Sequence, residues 1–108
     1  MSNNWIKADE LVLRLREEFG YPPFGANLVA QKLAAAAKPV KDAFLYYWQT
    51  GVLDERLEIE GYTIARLVSE HSMKPIAAFL TLDWLAREPE AARASLARGH
   101  DRIKIAST

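Results

Sequence analysis

The chain has 108 residues, half of them hydrophobic, with no cysteine and 14 basic against 14 acidic side chains. That length predicts one domain over residues 1–108 with a continuous core, and the lack of cysteine excludes disulfides, zinc–thiolate sites and iron–sulfur clusters. A formal charge of zero leaves no overall positive field to hold a phosphate backbone or an anionic membrane, which argues against a dedicated nucleic-acid binder.

In chain order, residues 1–10 lack the apolar run of a secretion signal. No later stretch reaches the roughly 18 apolar residues of a membrane span, so a cytoplasmic protein without a membrane partner is expected. Leu11, Val12, Leu15 and Phe19 recur at helical spacing and predict a first helix that starts between Asn4 and Asp9. It ends at Phe19, with Gly20 as a left-handed cap. The double proline after Tyr21 predicts a stiff aromatic loop from Gly20 to Gly25. Asn27 is the expected cap of a second helix that runs through Leu28, Val29 and Leu33 to Ala37 and stops at Lys38 because Pro39 follows. Pro39 suits the first turn of a third helix, Val40 to about Thr50, closed by Gly51 with Val52 folding back. Its Val40, Phe44, Leu45, Tyr47 and Trp48 are apolar on more than one face, which predicts a central position.

Arg56 to Glu60 alternates, with Leu57 and Ile59 on one side. Arg102 to Ala106 alternates in the same way. Arg102 and Lys104 would lie opposite Glu58 and Glu60, so the two segments are expected to pair as a short antiparallel ribbon. Three helices fall between them. Thr63 caps the first, with Tyr62 and Leu67 as a hydrophobic staple. Ser72, Met73 and Lys74 form a turn, Pro75 opens a longer helix to Glu88, and Pro89 starts a last one, Glu90 to Arg98, closed by Gly99. The expected fold is mainly α: a single domain of about six helices with a two-stranded ribbon.

Strand, helix, tight turn and helix follow one another over residues 56–88, with Leu67 and Val68 buried in the first helix and Met73 plugging the turn. Ala78, Leu82 and Leu85 form the inner face of the second. This segment, about a third of the chain, resembles the helix-turn-helix grammar of winged-helix domains, and Asp83 to Glu88 is similar to the helix end of small bacterial winged-helix proteins of unknown function. The resemblance implies a winged-helix-like C-terminal half. A full wing is lacking, because residues 89–98 read as another helix. It also implies DNA recognition by the helix 75–88, with Lys74, Thr81 and Arg87 as contacts. Base-edge reading needs more cations and amides than this helix carries, so a DNA-binding transcriptional regulator is the alternative reading and not the first.

His71 and His100 have no partner at metal-ligand spacing, so no metal or other cofactor is expected. His71 is expected at the end of its helix and His100 in a loop. The carboxylate pairs 17/18, 54/55 and 58/60 read as a solvated helix face, a turn and an exposed strand side. Without a nucleophile elbow, a phosphate loop or cysteine, the sequence predicts no enzyme. Tyr46, Tyr47 and Trp48 are consecutive, and helical residues point about 100° apart, so at least one must reach a surface. The leading expectation is a small bacterial-type interaction module that binds a protein partner or itself through Tyr21, Pro22, Phe24 or Tyr46. Trp84 is expected to be buried.

Overall fold

The computed structural model describes residues 5–106, with side chains through residue 98. Among them the fold is mainly helical with one small antiparallel sheet, in the order α1 (Ala8–Glu17), α2 (Pro23–Ala34), α3 (Lys38–Thr50), β1 (Glu58–Ile59), β2 (Tyr62–Thr63), α4 (Ile64–Glu70), α5 (Pro75–Arg87) and α6 (Pro89–Ala106). The chain divides into two compact units, Met1–Ala36 and Ala37–Thr108.

In the first unit α1 packs on α2. Leu11 and Leu15, one helical turn apart, are its buried residues, as their spacing requires. The helix stops at Glu17, two residues before Phe19. Gly20 then adopts φ 75° and the Tyr21 N–H reaches back to the Leu15 carbonyl at 3.0 Å, so the glycine reverses the chain as expected. The segment after it is not all loop. Pro22 is extended and Pro23 occupies the first position of α2, where a missing N–H costs nothing and the fixed φ already suits a helix. Phe24 and Gly25 are therefore helical. Asn27 is not the cap: its side-chain amide donates to the Pro23 carbonyl at 2.9 Å from inside the first turns. The helix buries Ala26, Val29, Ala30 and Leu33 and ends at Ala34, short of Ala37. Ala37 must be extended, ψ 145°, to serve as the N-cap of α3.

In the second unit α3 opens with Pro39 near its start and closes at Gly51, φ 76°, whose N–H bonds the Tyr47 carbonyl at 2.7 Å. Val40, Ala43, Phe44 and Trp48 are buried. Phe44 meets Phe79 of α5 edge-on, centroids 5.3 Å apart and planes at 86°, a favoured aromatic geometry. Around α5 lie α3, α4, α6 and β1, and its Ile76, Ala78, Phe79, Leu82 and Leu85 are all buried. This helix is the centre of the unit's core.

The ribbon exists, but its partner is not the one the alternation suggested. Glu58 pairs with Thr63 and Ile59 with Tyr62, across a turn in which Glu60 and Gly61 both take positive φ. Residues 102–106 instead continue α6, which passes through Gly99 without stopping and takes the backbone of His100 with it. A hairpin closes a loop of two residues, whereas pairing with residue 102 would close one of about forty at greater entropic cost. A helix interior tolerates one glycine at about 1 kcal/mol. Thr63 does cap α4, accepting the Arg66 N–H at 3.1 Å, and Ser72 turns the chain at φ 56°. Val68 and Met73 are half-buried where full burial was expected. Trp84, also expected inside, is 38% exposed.

Candidate functional site

An open groove of about 560 Å³ runs along α3 in the second unit, lined by Pro39, Asp42, Ala43, Tyr46, Asp54, Arg56 and Leu57. The first four are spaced i, i+3, i+4, i+7, which places them on one face of the helix. Val40, Phe44 and Trp48 hold the opposite side in the core. Tyr47 is half-buried with its ring 5.7 Å from that of Phe79, and Tyr46 is left facing outward, 45% exposed. The expectation that one of the three consecutive aromatics must reach the surface is met by Tyr46.

Two anchors set the walls. Ala37, the N-cap residue of α3, has no side-chain oxygen to offer its own helix. Asp83 of α5 supplies one, accepting the Ala37 N–H at 2.8 Å, so a carboxylate sits at the positive end of α3. At the other end the Thr50 hydroxyl donates to the Tyr46 carbonyl at 2.7 Å and accepts the Val52 N–H at 3.1 Å. This steers residues 52–57 into the second wall of the groove.

On that wall Asp54 is the hydrogen-bonded carboxylate. Its Oδ1 accepts the Arg56 backbone N–H at 3.0 Å and Arg56 Nε at 3.1 Å, while Oδ2 accepts Arg56 Nη2 at 3.4 Å. The side-chain hydrogen bond from Arg56, seconded by its backbone N–H, holds the Asp54 carboxyl below the usual aspartate range. Asp54 in turn raises the Arg56 guanidinium, with a smaller contribution from Tyr46. On the facing wall Asp42 pairs with Lys38 at 3.0 Å.

The other expected contact residues lie elsewhere. Tyr21, Pro22 and Phe24 belong to the first unit, where the Tyr21 and Pro22 rings crowd Gly25: a Cβ there would meet Pro22 Cγ at 3.3 Å. Tyr21 is half-buried, and burial pushes its phenol up. Phe24 is 81% exposed with Leu28 exposed one turn further on.

Of the residues assigned to DNA, Lys74 is exposed at the N-cap of α5. Thr81 donates its hydroxyl to the Ala77 carbonyl at 2.8 Å, and Arg87 pairs with Asp83 at 2.9 Å. Thr81 and Arg87 are six helical positions apart, about 120° around the axis, so they do not share a face. His71 caps the end of α4 and meets the Tyr62 ring edge-on at 5.7 Å, with Arg66 over the same ring at 4.8 Å. Among the described residues no three histidine or acidic side chains converge as a metal site would need, and no helix is long and apolar enough to cross a membrane.

Sequence reasoning missed Pro39, Asp42, Asp54, Arg56 and Leu57 as parts of one site. The helical stripe 39/42/43/46 was a legible signal. The return of residues 54–57 alongside it was not, because a loop's path depends on caps and packing and not on periodicity. No protein-family model, curated protein or solved structure matches the chain.

Proposed function

We propose that this chain is a non-catalytic interaction module that binds a protein partner, or a second copy of itself, through the α3 groove. The observation that carries this reading is the outward Tyr46, set among Pro39, Ala43 and Leu57 in an open groove. An exposed aromatic with apolar neighbours and charged groups at the edge has the make-up of a binding hot spot and its polar rim. Duplex DNA is the weaker partner: the core-facing side of α5 is spent on packing, and Thr81 and Arg87 are engaged within the helix itself.

A photo-crosslinking phenylalanine analogue in place of Tyr46, introduced in living source cells, tests the proposal, with the same analogue at exposed Glu90 as control. The expected result is a discrete protein adduct at position 46 that does not form at position 90. The purified partner should then bind Tyr46→Ala at least tenfold more weakly. Absence of an adduct specific to position 46 would overturn the reading.

A further inference from the structure

We infer that the groove receives an arginine side chain from an extended segment of a partner protein, its guanidinium forked onto the Asp54 carboxylate and lying against the Tyr46 ring, with Arg56 holding that position in the unbound protein. This inference rests on the interaction-module reading above and names the chemistry of the occupant.

Asp54 is the fixed member of its ion pair. Its side chain is 20% exposed, whereas that of Arg56 is 90% exposed. The Arg56 backbone N–H locks the carboxylate in a local turn that does not depend on where the guanidinium goes. A cation so fully solvated adds little stability through its pair, so it can swing into water and leave Asp54 in place. Its contacts to both carboxylate oxygens show that a guanidinium fits there in the forked manner.

Tyr46 lines the same groove and is exposed, and an exposed aromatic ring is a surface on which a planar cation can stack. Pro39 and Leu57 offer apolar surface to the aliphatic stem or to a neighbouring residue. Asp42 adds a second carboxylate, again paired only with an exposed lysine. With Arg56 displaced, the charged groups lining the groove are both acidic, which complements a basic segment. Lysine is a point charge that neither forks nor stacks as arginine does, so the site discriminates between the two.

The experiment titrates the peptide acetyl-Ala-Pro-Arg-Ala-amide, and its lysine counterpart, into the labelled full chain and follows amide shifts. The expected result is shifts at residues 42–46 and 54–57, with the lysine peptide several-fold weaker. Arg56→Ala, which empties the position, should bind the arginine peptide several-fold tighter. Asp54→Asn, which keeps an oxygen to accept the Arg56 N–H and so preserves the turn, should bind at least tenfold weaker. An Arg56→Ala variant that binds no tighter than the parent, or an Asp54→Asn variant that binds equally well, overturns the inference. The two readings fail separately. A Tyr46 adduct that forms equally in Asp54→Asn and is not displaced by the arginine peptide overturns the arginine site alone, whereas loss of every Tyr46-specific adduct overturns the module.

Discussion

Phe79 and Trp84 sit five positions apart on α5, and their surroundings give them opposite weights. Phe79 is fully buried against Phe44, and truncating it leaves a cavity that close-packed neighbours cannot fill. Trp84 keeps part of its ring in water and points its indole N–H toward Glu88 at 3.4 Å, so its removal forfeits surface contacts without opening a void. Phe79→Ala should cost about 3–5 kcal/mol and Trp84→Ala about 1 kcal/mol, read as the difference in unfolding free energy from urea titrations. Equal costs would mean that Trp84 is buried after all. The sequence made the two residues look alike, since both are large apolar side chains in a helix hydrophobic on most of its circumference. Only packing against α3, α4 and α6 decides which one faces inward.

Among the elements, α3 most depends on a partner for its start. It has no capping side chain and no acid in its first turn, yet it carries four of the residues that line the groove. Asp83 supplies both the missing acceptor and the missing negative charge across 46 residues of sequence. Asp83→Ala should destabilise the protein by about 1–2 kcal/mol and speed hydrogen exchange of the Ala37 amide selectively. Asp83→Asn, which retains an oxygen acceptor, should recover most of the loss. Uniform exchange rates at Ala37 across the three proteins would show that the contact does not hold the helix end. Such a cap is invisible in the sequence, because Asp83 lies mid-helix four residues before Arg87 and reads as one half of a surface ion pair. The local caps were legible: Thr63 and Gly51 act on their own helices, with hydrogen-bond partners within a few residues.

At the scale of the molecule, balanced charge is the governing fact. A chain with as many acids as bases draws no long-range attraction from nucleic acid, and the resolved ion pairs, such as Arg14 with Glu18, Arg66 with Glu70 and Arg87 with Asp83, neutralise much of the helical surface locally. Counterion release, which supplies most non-specific DNA affinity, needs several unopposed cations on one face. Adding mixed duplex DNA to the labelled protein at 50 mM salt should leave the amides of residues 74–87 unshifted. Salt-sensitive shifts confined to that segment would restore the helix-turn-helix reading over the groove.

Composition and periodicity by themselves determined the helical class, the number of helices and most of the punctuation, because glycine, proline and capping side chains act on the backbone within one or two turns. They also required an outward aromatic among Tyr46, Tyr47 and Trp48, since consecutive helical residues cannot share a face. What periodicity could not settle were the choices between locally equivalent options. Two alternating segments were equally suited to a strand, and loop-closure entropy favoured the near hairpin while Arg102 to Ala106 stayed helical. The double proline read as a loop, yet the turn at Gly20 left Pro23 at a first helical position. The groove belongs to this second group. Its walls come from a helix face and a returning loop, brought together by Asp83 at one end of α3 and Thr50 at the other, and contacts between separated segments are energies of the folded chain and not of its local sequence.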